Sequence, residues 1–278
     1  MQFIKIGKQN VIRNVNFPFG KYAIAIIVGL ITLSGCVTQT TSSRTPTDEI
    51  IINQGVNLNE AAEQRLNLGL QYLQLGQIER AKYNLDKAFR HAPNKASVQI
   101  GLAYYYEQVK EAELAAKHYK KALSLDRNNG DYLNLYGSFL CSEKAYKLAD
   151  KQFVKAVRQP KYANVAATYE NAGICAKRAG ETSKSEEYFD KALDHNPKIS
   201  RSLLEKSELL FAKKKLFKAR AFLSRHFAVS QPTAQSLWLG VQIERVMGDT
   251  DALSSYGLKL TGLFPASDEA DLYRASKN

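Results

Sequence analysis

Small and large apolar residues recur with a period of about 34 positions over residues 62–265. In the first period the recurring residues are Leu68, Gly69, Tyr72, Ala81, Leu85, Ala88 and Pro93. The pattern predicts two antiparallel helices in each period. The small residues allow the two helices to approach closely, and the large residues fill the space between them.

Six such units follow one another along the chain. They begin near residues 62, 96, 130, 166, 200 and 233, and a two-residue insertion near Pro160 separates the third from the fourth. The last two units are degenerate and keep only part of the pattern. Ser267 is followed by acidic residues, which predicts a helix N-terminus and a short capping helix within residues 266–278.

These units resemble the tetratricopeptide repeat. The resemblance implies an all-α fold, a right-handed superhelical solenoid of six helix-turn-helix repeats. One helix pair cannot bury its apolar face alone, whereas stacked pairs share a continuous core. The first helix of each repeat is expected to line a groove.

An apolar run of 12 residues, 22–33, follows Lys21 and ends at the small residues Ser34 and Gly35. A basic region, a short apolar region and small residues at the end are typical of a secretory signal peptide, here residues 1–35. Spanning a membrane requires about 20 apolar residues. A removable signal is therefore favoured over a transmembrane anchor.

The four residues 33–36, Leu-Ser-Gly-Cys, resemble the lipobox of bacterial lipoproteins. The resemblance implies that Cys36 carries the lipid and becomes the first residue after cleavage. Residues 36–61 then form a lipidated, flexible tether. Because Val37 rather than aspartate follows the cysteine, the resemblance implies a lipid-anchored protein of the outer membrane that faces the periplasm.

The chain carries 39 basic and 27 acidic side chains, a formal net charge of +12. Four of the basic residues and none of the acidic ones lie in the signal, so the mature chain has a net charge of 12 − 4 = +8. A basic cluster at 213–220 has two interpretations, a solvated turn or a contact with anionic headgroups or an acidic partner. Nucleic acid is not an expected partner of an exported lipoprotein.

Known catalytic patterns do not occur in the sequence. The four histidines are scattered, no His, Cys, Asp and Glu grouping has metal-ligand spacing, and phosphate-binding loops and nucleophile elbows are missing. We therefore expect a protein-binding module rather than an enzyme, with no metal, cofactor or small-molecule substrate.

Apolar residues occupy several groove positions of the first two repeats. They are Leu66, Leu70, Leu73, Ile100 and Tyr104. One interpretation is an open groove for a hydrophobic helix or strand of a partner. The other is that residues 50–60 fold back and cover these side chains. Farther along, the groove turns polar, which is compatible with binding of a peptide carboxylate; the polar residues are Asp131, Asn134, Ser138, Glu170, Lys177 and Arg178.

Cys141 and Cys175 are the remaining cysteines once Cys36 is acylated. Adjacent first helices place them at nearly the same height, and the periplasm is oxidising, so a disulfide is favoured. The alternative is two small buried side chains in a helix interface.

Residues 132–157, 169–193 and 255–265 resemble the pilotin lipoproteins of type IV pilus biogenesis. This resemblance implies a protein that assists localisation and multimerisation of the outer-membrane secretin of the pilus, or that stabilises the fibre. The partner would be the pilus secretin or another envelope protein. The competing interpretation is a lipoprotein scaffold for cell-wall synthesis or outer-membrane protein assembly.

Overall fold

The computed structural model describes residues 57–276, which form thirteen α-helices. The bounds are α1 Leu58–Gln74, α2 Ile78–His91, α3 Ala96–Gln108, α4 Ala112–Leu125, α5 Gly130–Ser142, α6 Tyr146–Val157, α7 Val165–Arg178, α8 Thr182–His195, α9 Ser200–Ala212, α10 Leu216–Val229, α11 Ala234–Met247, α12 Thr250–Leu263 and α13 Asp268–Ala275. The predicted signal peptide, Cys36 and most of the tether lie outside the described residues.

Consecutive helices pack as six pairs, and α13 packs on the last pair. The predicted all-α solenoid of tetratricopeptide repeats is confirmed. Helix α1 begins at Leu58, four residues before the period marked by the apolar residues, because the side chain of Asn57 accepts hydrogen bonds from the backbone N–H groups of Asn59 and Glu60. Ser267 caps α13 in the same way.

Within a repeat, a glycine of the first helix faces a large ring of the second. The ring of Phe153 covers Gly137, and the ring of Phe189 covers Gly173; a methyl group at either glycine would come within 2.7 Å of the ring. A larger residue at the glycine would push the helices apart. The period of small and large residues therefore sets the distance between the paired helices.

The insertion between repeats three and four is packed against α5. The connection spans residues 158–164, whereas the other links between one repeat and the next have four residues. The ring of Tyr162 fills the space next to Gly130, and its hydroxyl lies 2.7 Å from the hydroxyl of Thr168. The longer connection is thus held by both neighbouring first helices.

The turn inside each repeat requires a left-handed backbone. Gly76 and Gly180 meet this requirement in repeats one and four, with φ of 71° and 79°. In repeats two, three and five the same position is held by Lys110, Lys144 and Lys214, with φ of 67°, 61° and 57°. Three lysines therefore adopt a backbone conformation that favours glycine.

Replacing Lys144 by glycine is expected to raise the free energy of unfolding by about 0.5–1 kcal/mol. The left-handed conformation costs an L-residue roughly 1–2 kcal/mol, and replacement by glycine removes this cost. Part of the gain is lost because glycine increases the conformational freedom of the unfolded chain. Urea denaturation measures the change. The control Lys151→Gly, in the exposed middle of α6, should instead lower stability by up to about 1 kcal/mol. A lower free energy of unfolding in Lys144→Gly would show that the left-handed backbone at Lys144 is not strained.

Candidate partner-binding surface

Hydrogen bonds between polar side chains connect neighbouring first helices. We call this set the polar ladder; its members are Glu63, Ser97, Asp131, Asn134, Asn164, Asn171, Glu170, Ser202, Lys177, Glu205, Glu208 and Gln235. Most partners are separated by 32 to 37 residues, about one repeat. The ladder joins repeat one to repeat two, and repeats three to six to one another, along the face formed by the first helices.

Lys177 is the cation at the centre of this ladder. Its ammonium lies 2.6 Å from carboxylate oxygens of both Glu205 and Glu208. Burial opposes the charge, but the hydrogen bonds to the two carboxylates prevail and raise the pKa of Lys177 above its usual value. Because this ammonium already has two acidic partners, binding of a peptide carboxylate by Lys177 is not supported.

Glu170 is a half-buried carboxylate on this face. It accepts hydrogen bonds from the backbone N–H and the hydroxyl of Ser202, at 2.9 and 2.8 Å. Burial raises the pKa of Glu170, and the two hydrogen bonds partly oppose that rise. Glu170 therefore links α7 to α9 and does not present a free charge to a partner.

The five predicted groove residues do not form one surface. Leu66, Leu73 and Ile100 are buried, with exposed fractions of 2%, 7% and 8%. The expectation that they line an open groove is wrong. The physical reason is visible at Gly101, which has no side chain and lets α3 approach α1, so that Leu66 fills the space where a methyl group would stand.

Leu70 and Tyr104 are half-buried and remain on the face of the first helices. They occupy equivalent positions in α1 and α3, one repeat apart. Burial, with a smaller contribution from Glu107, raises the pKa of the Tyr104 phenol, so it stays neutral at physiological pH. The apolar part of the candidate site is thus reduced to these two side chains.

A covering segment was the alternative to an open groove. Its proposed residues Ile50, Ile51, Ile52 and Val56 lie outside the described residues. Leu70 and Tyr104 therefore form the candidate site on the described part of this face.

Cys141 and Cys175 form a disulfide, with 5.7 Å between their Cα atoms. The bridge joins α5 to α7 across the longer connection. Both side chains are buried, and they share a core cluster with residues of repeats two, three and four. The middle repeats are therefore joined by a covalent bond as well as by packing.

The described part of the chain contains no group of three or more His, Cys, Asp or Glu side chains placed to hold a metal ion. None of its helices is both long and apolar enough to cross a membrane.

Comparison with known proteins identifies the family. The tetratricopeptide repeat family model matches residues 66–132. The chain is 33% identical over 245 residues to the type IV pilus assembly protein PilF of Pseudomonas aeruginosa, and the match covers 88% of this chain and 94% of that protein. The chain belongs to the PilF family. The family predicted from the sequence is thereby confirmed.

Solved structures support this assignment. The structure of Pseudomonas aeruginosa PilF matches with a TM-score of 0.70 and 33% identity, covering 79% of this chain and 99% of the PilF chain. The type IV pilus biogenesis factor PilW matches with a TM-score of 0.69 over 77% of this chain and 98% of its own; at 23% identity it supports the fold alone. The PilF-like fold extends over all six repeats.

Sequence reasoning missed most of the polar ladder of this PilF family member. It identified Asp131, Asn134, Glu170 and Lys177 as polar groove residues but not their partners. The available signal was the offset of about one repeat between pairs such as Glu63 and Ser97. Polar residues at such offsets in a repeat protein are candidates for contacts between repeats.

Proposed function

We propose that this protein is a lipoprotein of the outer membrane that assists type IV pilus biogenesis by binding the outer-membrane secretin and promoting its localisation and multimerisation, or by stabilising the pilus. The observation that carries the proposal is the similarity to the type IV pilus assembly protein PilF over 94% of that protein. The protein acts by binding, as a module without a catalytic step.

The sequence at residues 21–36 supports the membrane anchor. A basic residue, a short apolar run and the lipobox-like Leu-Ser-Gly-Cys occur in the order expected of a lipoprotein signal. Several acyl chains on Cys36 would hold the mature protein firmly, since each buried methylene contributes about 0.8 kcal/mol. The repeats would then act close to the membrane that contains the secretin.

Leu70 and Tyr104 support a protein partner. Both offer apolar area next to polar groups of the first helices, an arrangement that suits a helix or strand with one apolar face. Half-buried side chains on a rigid helix lose little conformational freedom on binding. We propose these two residues as the centre of the secretin contact.

Replacing Leu70 and Tyr104 together by aspartate is expected to reduce capture of the secretin from solubilised envelopes by roughly tenfold or more, because central apolar contacts carry most of the binding energy of an interface. Circular dichroism should show unchanged helical content. The control is Leu258→Asp, at a leucine of α12 with an exposed fraction of 67%. Full capture by the double variant would refute this site. If the wild-type protein captures a cell-wall synthase or a barrel-insertion complex instead of the secretin, the pilus role is refuted.

Replacing Cys36 by alanine is expected to release the repeats from the membrane and leave them folded, because the lipid supplies the anchor and the core lies in the repeats. Fractionation of cells that lack the secretin measures how much of the variant stays with the membrane. The control is the protein without the substitution in the same cells. If Cys36→Ala still fractionates with outer membranes in these cells, the lipid is not the anchor.

A further inference from the structure

The turn between α9 and α10, together with the first residues of α10, exposes an aromatic ring to solvent. Phe217 is 80% exposed, the highest value among the exposed large apolar side chains of residues 57–276. Lys214, Lys215 and Lys218 surround it in the sequence and are exposed as well. We call these four residues the basic turn. Full solvation of a phenylalanine ring gives no folding energy, so the ring is available for an external contact.

The positive charges of the basic turn are not neutralised within the fold. The neighbouring Lys213 pairs with Glu186, which also binds Lys206. Across residues 57–276, no carboxylate lies within ion-pair distance of the other three ammonium groups. The turn therefore combines an exposed ring with three uncompensated charges.

Lys214 also adopts the left-handed conformation that glycine provides in repeats one and four, with φ of 57°. A lysine at this position adds charge to the turn despite a conformational cost. Lys110 and Lys144 adopt the same conformation in repeats two and three, so the turn of repeat five is distinguished by its exposed ring and its uncompensated charges.

We propose that the basic turn docks on a membrane surface that contains anionic phospholipid, with Phe217 in the headgroup region and the lysines beside lipid phosphates. An aromatic side chain flanked by lysines is suited to such an interface. The ring is 80% exposed and the three lysines beside it have no acidic partner within residues 57–276, so the turn complements a surface that carries many negative charges. The proposal rests on the proposed function, since the lipid on Cys36 would bring the repeats near a membrane.

The test uses the full acylated protein in vesicles of phosphatidylethanolamine with or without phosphatidylglycerol. Trp238 is the only tryptophan of the chain, so Phe217→Trp in a Trp238→Phe background places a single fluorophore in the turn. Brominated lipids quench a fluorophore that enters the headgroup or acyl region. The matched control carries Leu258→Trp in the same background, at a leucine that is also largely exposed.

We expect quenching at position 217 to exceed that at position 258 by about twofold or more, and only when phosphatidylglycerol is present. Changing Lys214, Lys215 and Lys218 together to glutamine should abolish the difference. Equal quenching at the two positions, or quenching that does not depend on phosphatidylglycerol, would overturn the proposal. So would a fluorophore at 217 that stays in water on vesicles and is shielded only when an envelope protein is added.

The experiments distinguish a missing lipid anchor on Cys36 from a missing contact between the basic turn and the membrane. The intact mass of the mature protein determines whether Cys36 is acylated before the vesicles are prepared. If it is not acylated, co-sedimentation of that chain with the same vesicles at low salt tests the turn alone. Retention by phosphatidylglycerol vesicles that is lost in the triple glutamine variant supports the proposal, and unchanged retention contradicts it. Secretin capture tests the pilus role independently.

Discussion

Removing the disulfide by changing Cys141 and Cys175 together to alanine is expected to lower the free energy of unfolding by about 3–4 kcal/mol. The bridge closes a loop with a sequence separation of 34 residues, and a cross-link of that span removes a corresponding amount of entropy from the unfolded chain. Alanine avoids placing an unpaired hydroxyl in the buried space that the two sulfur atoms occupy. The middle repeats should lose the most protection, because the bridge joins α5 to α7.

Urea denaturation with and without reductant measures this effect. Reductant should destabilise the wild type by a similar amount and leave the double alanine variant unchanged, which makes the variant its own control. Thiol titration of the denatured, unreduced mature protein provides an independent check. Two free thiols would show that the bridge does not form in the envelope, and both stability differences should then vanish.

Changing Leu66 to alanine is expected to lower the free energy of unfolding by about 2–4 kcal/mol. The side chain is 2% exposed and packs against Gly101 in the core cluster of the first two repeats. Truncation of a buried leucine loses its transfer free energy and leaves a cavity that the helices only partly close. Hydrogen exchange should show the loss in repeats one and two, since each repeat contacts only its neighbours.

The matched control is Leu70→Ala, one helical turn farther along the same face of α1. Because Leu70 is only half-buried, we expect a loss of roughly 1 kcal/mol or less. Equal losses of stability at the two positions would mean that Leu66 and Leu70 do not differ in burial. If Leu66→Ala captured much less secretin while its free energy of unfolding was unchanged, Leu66 would belong to the binding site.

The repeat architecture was predictable because its determinants are local. Gly137 and Phe153 lie in consecutive helices of one repeat, joined by a three-residue turn, and their sizes alone set how closely the helices approach. The same pairing recurs at Gly173 and Phe189. The repeat in the sequence therefore produces helix pairs that recur regularly in the structure. The family resemblance rests on the same residues.

The sequence favoured a bridge between Cys141 and Cys175 but did not decide it. It placed both cysteines at nearly the same height on adjacent first helices, but a bridge also depends on the distance and direction between those helices. Packing of Tyr162 on Gly130 and the hydrogen bond between Asp131 and Asn164 bring α5 and α7 together. The distance of 5.7 Å between the Cα atoms is a property of the packed repeats.

The sequence by itself determined the repeat, the number of helix pairs and the candidate positions on the first helices. Only the tertiary structure decided that Leu66 is buried while Leu70 is partly exposed, and that Lys177 is already bound by two glutamates. The physical reason is the range of the interaction. Helix formation and packing within a repeat depend on residues that are close in the chain. The exposure of a side chain on the shared face depends instead on the rotation and separation of helices from different repeats. Gly101 and the polar ladder contribute to both.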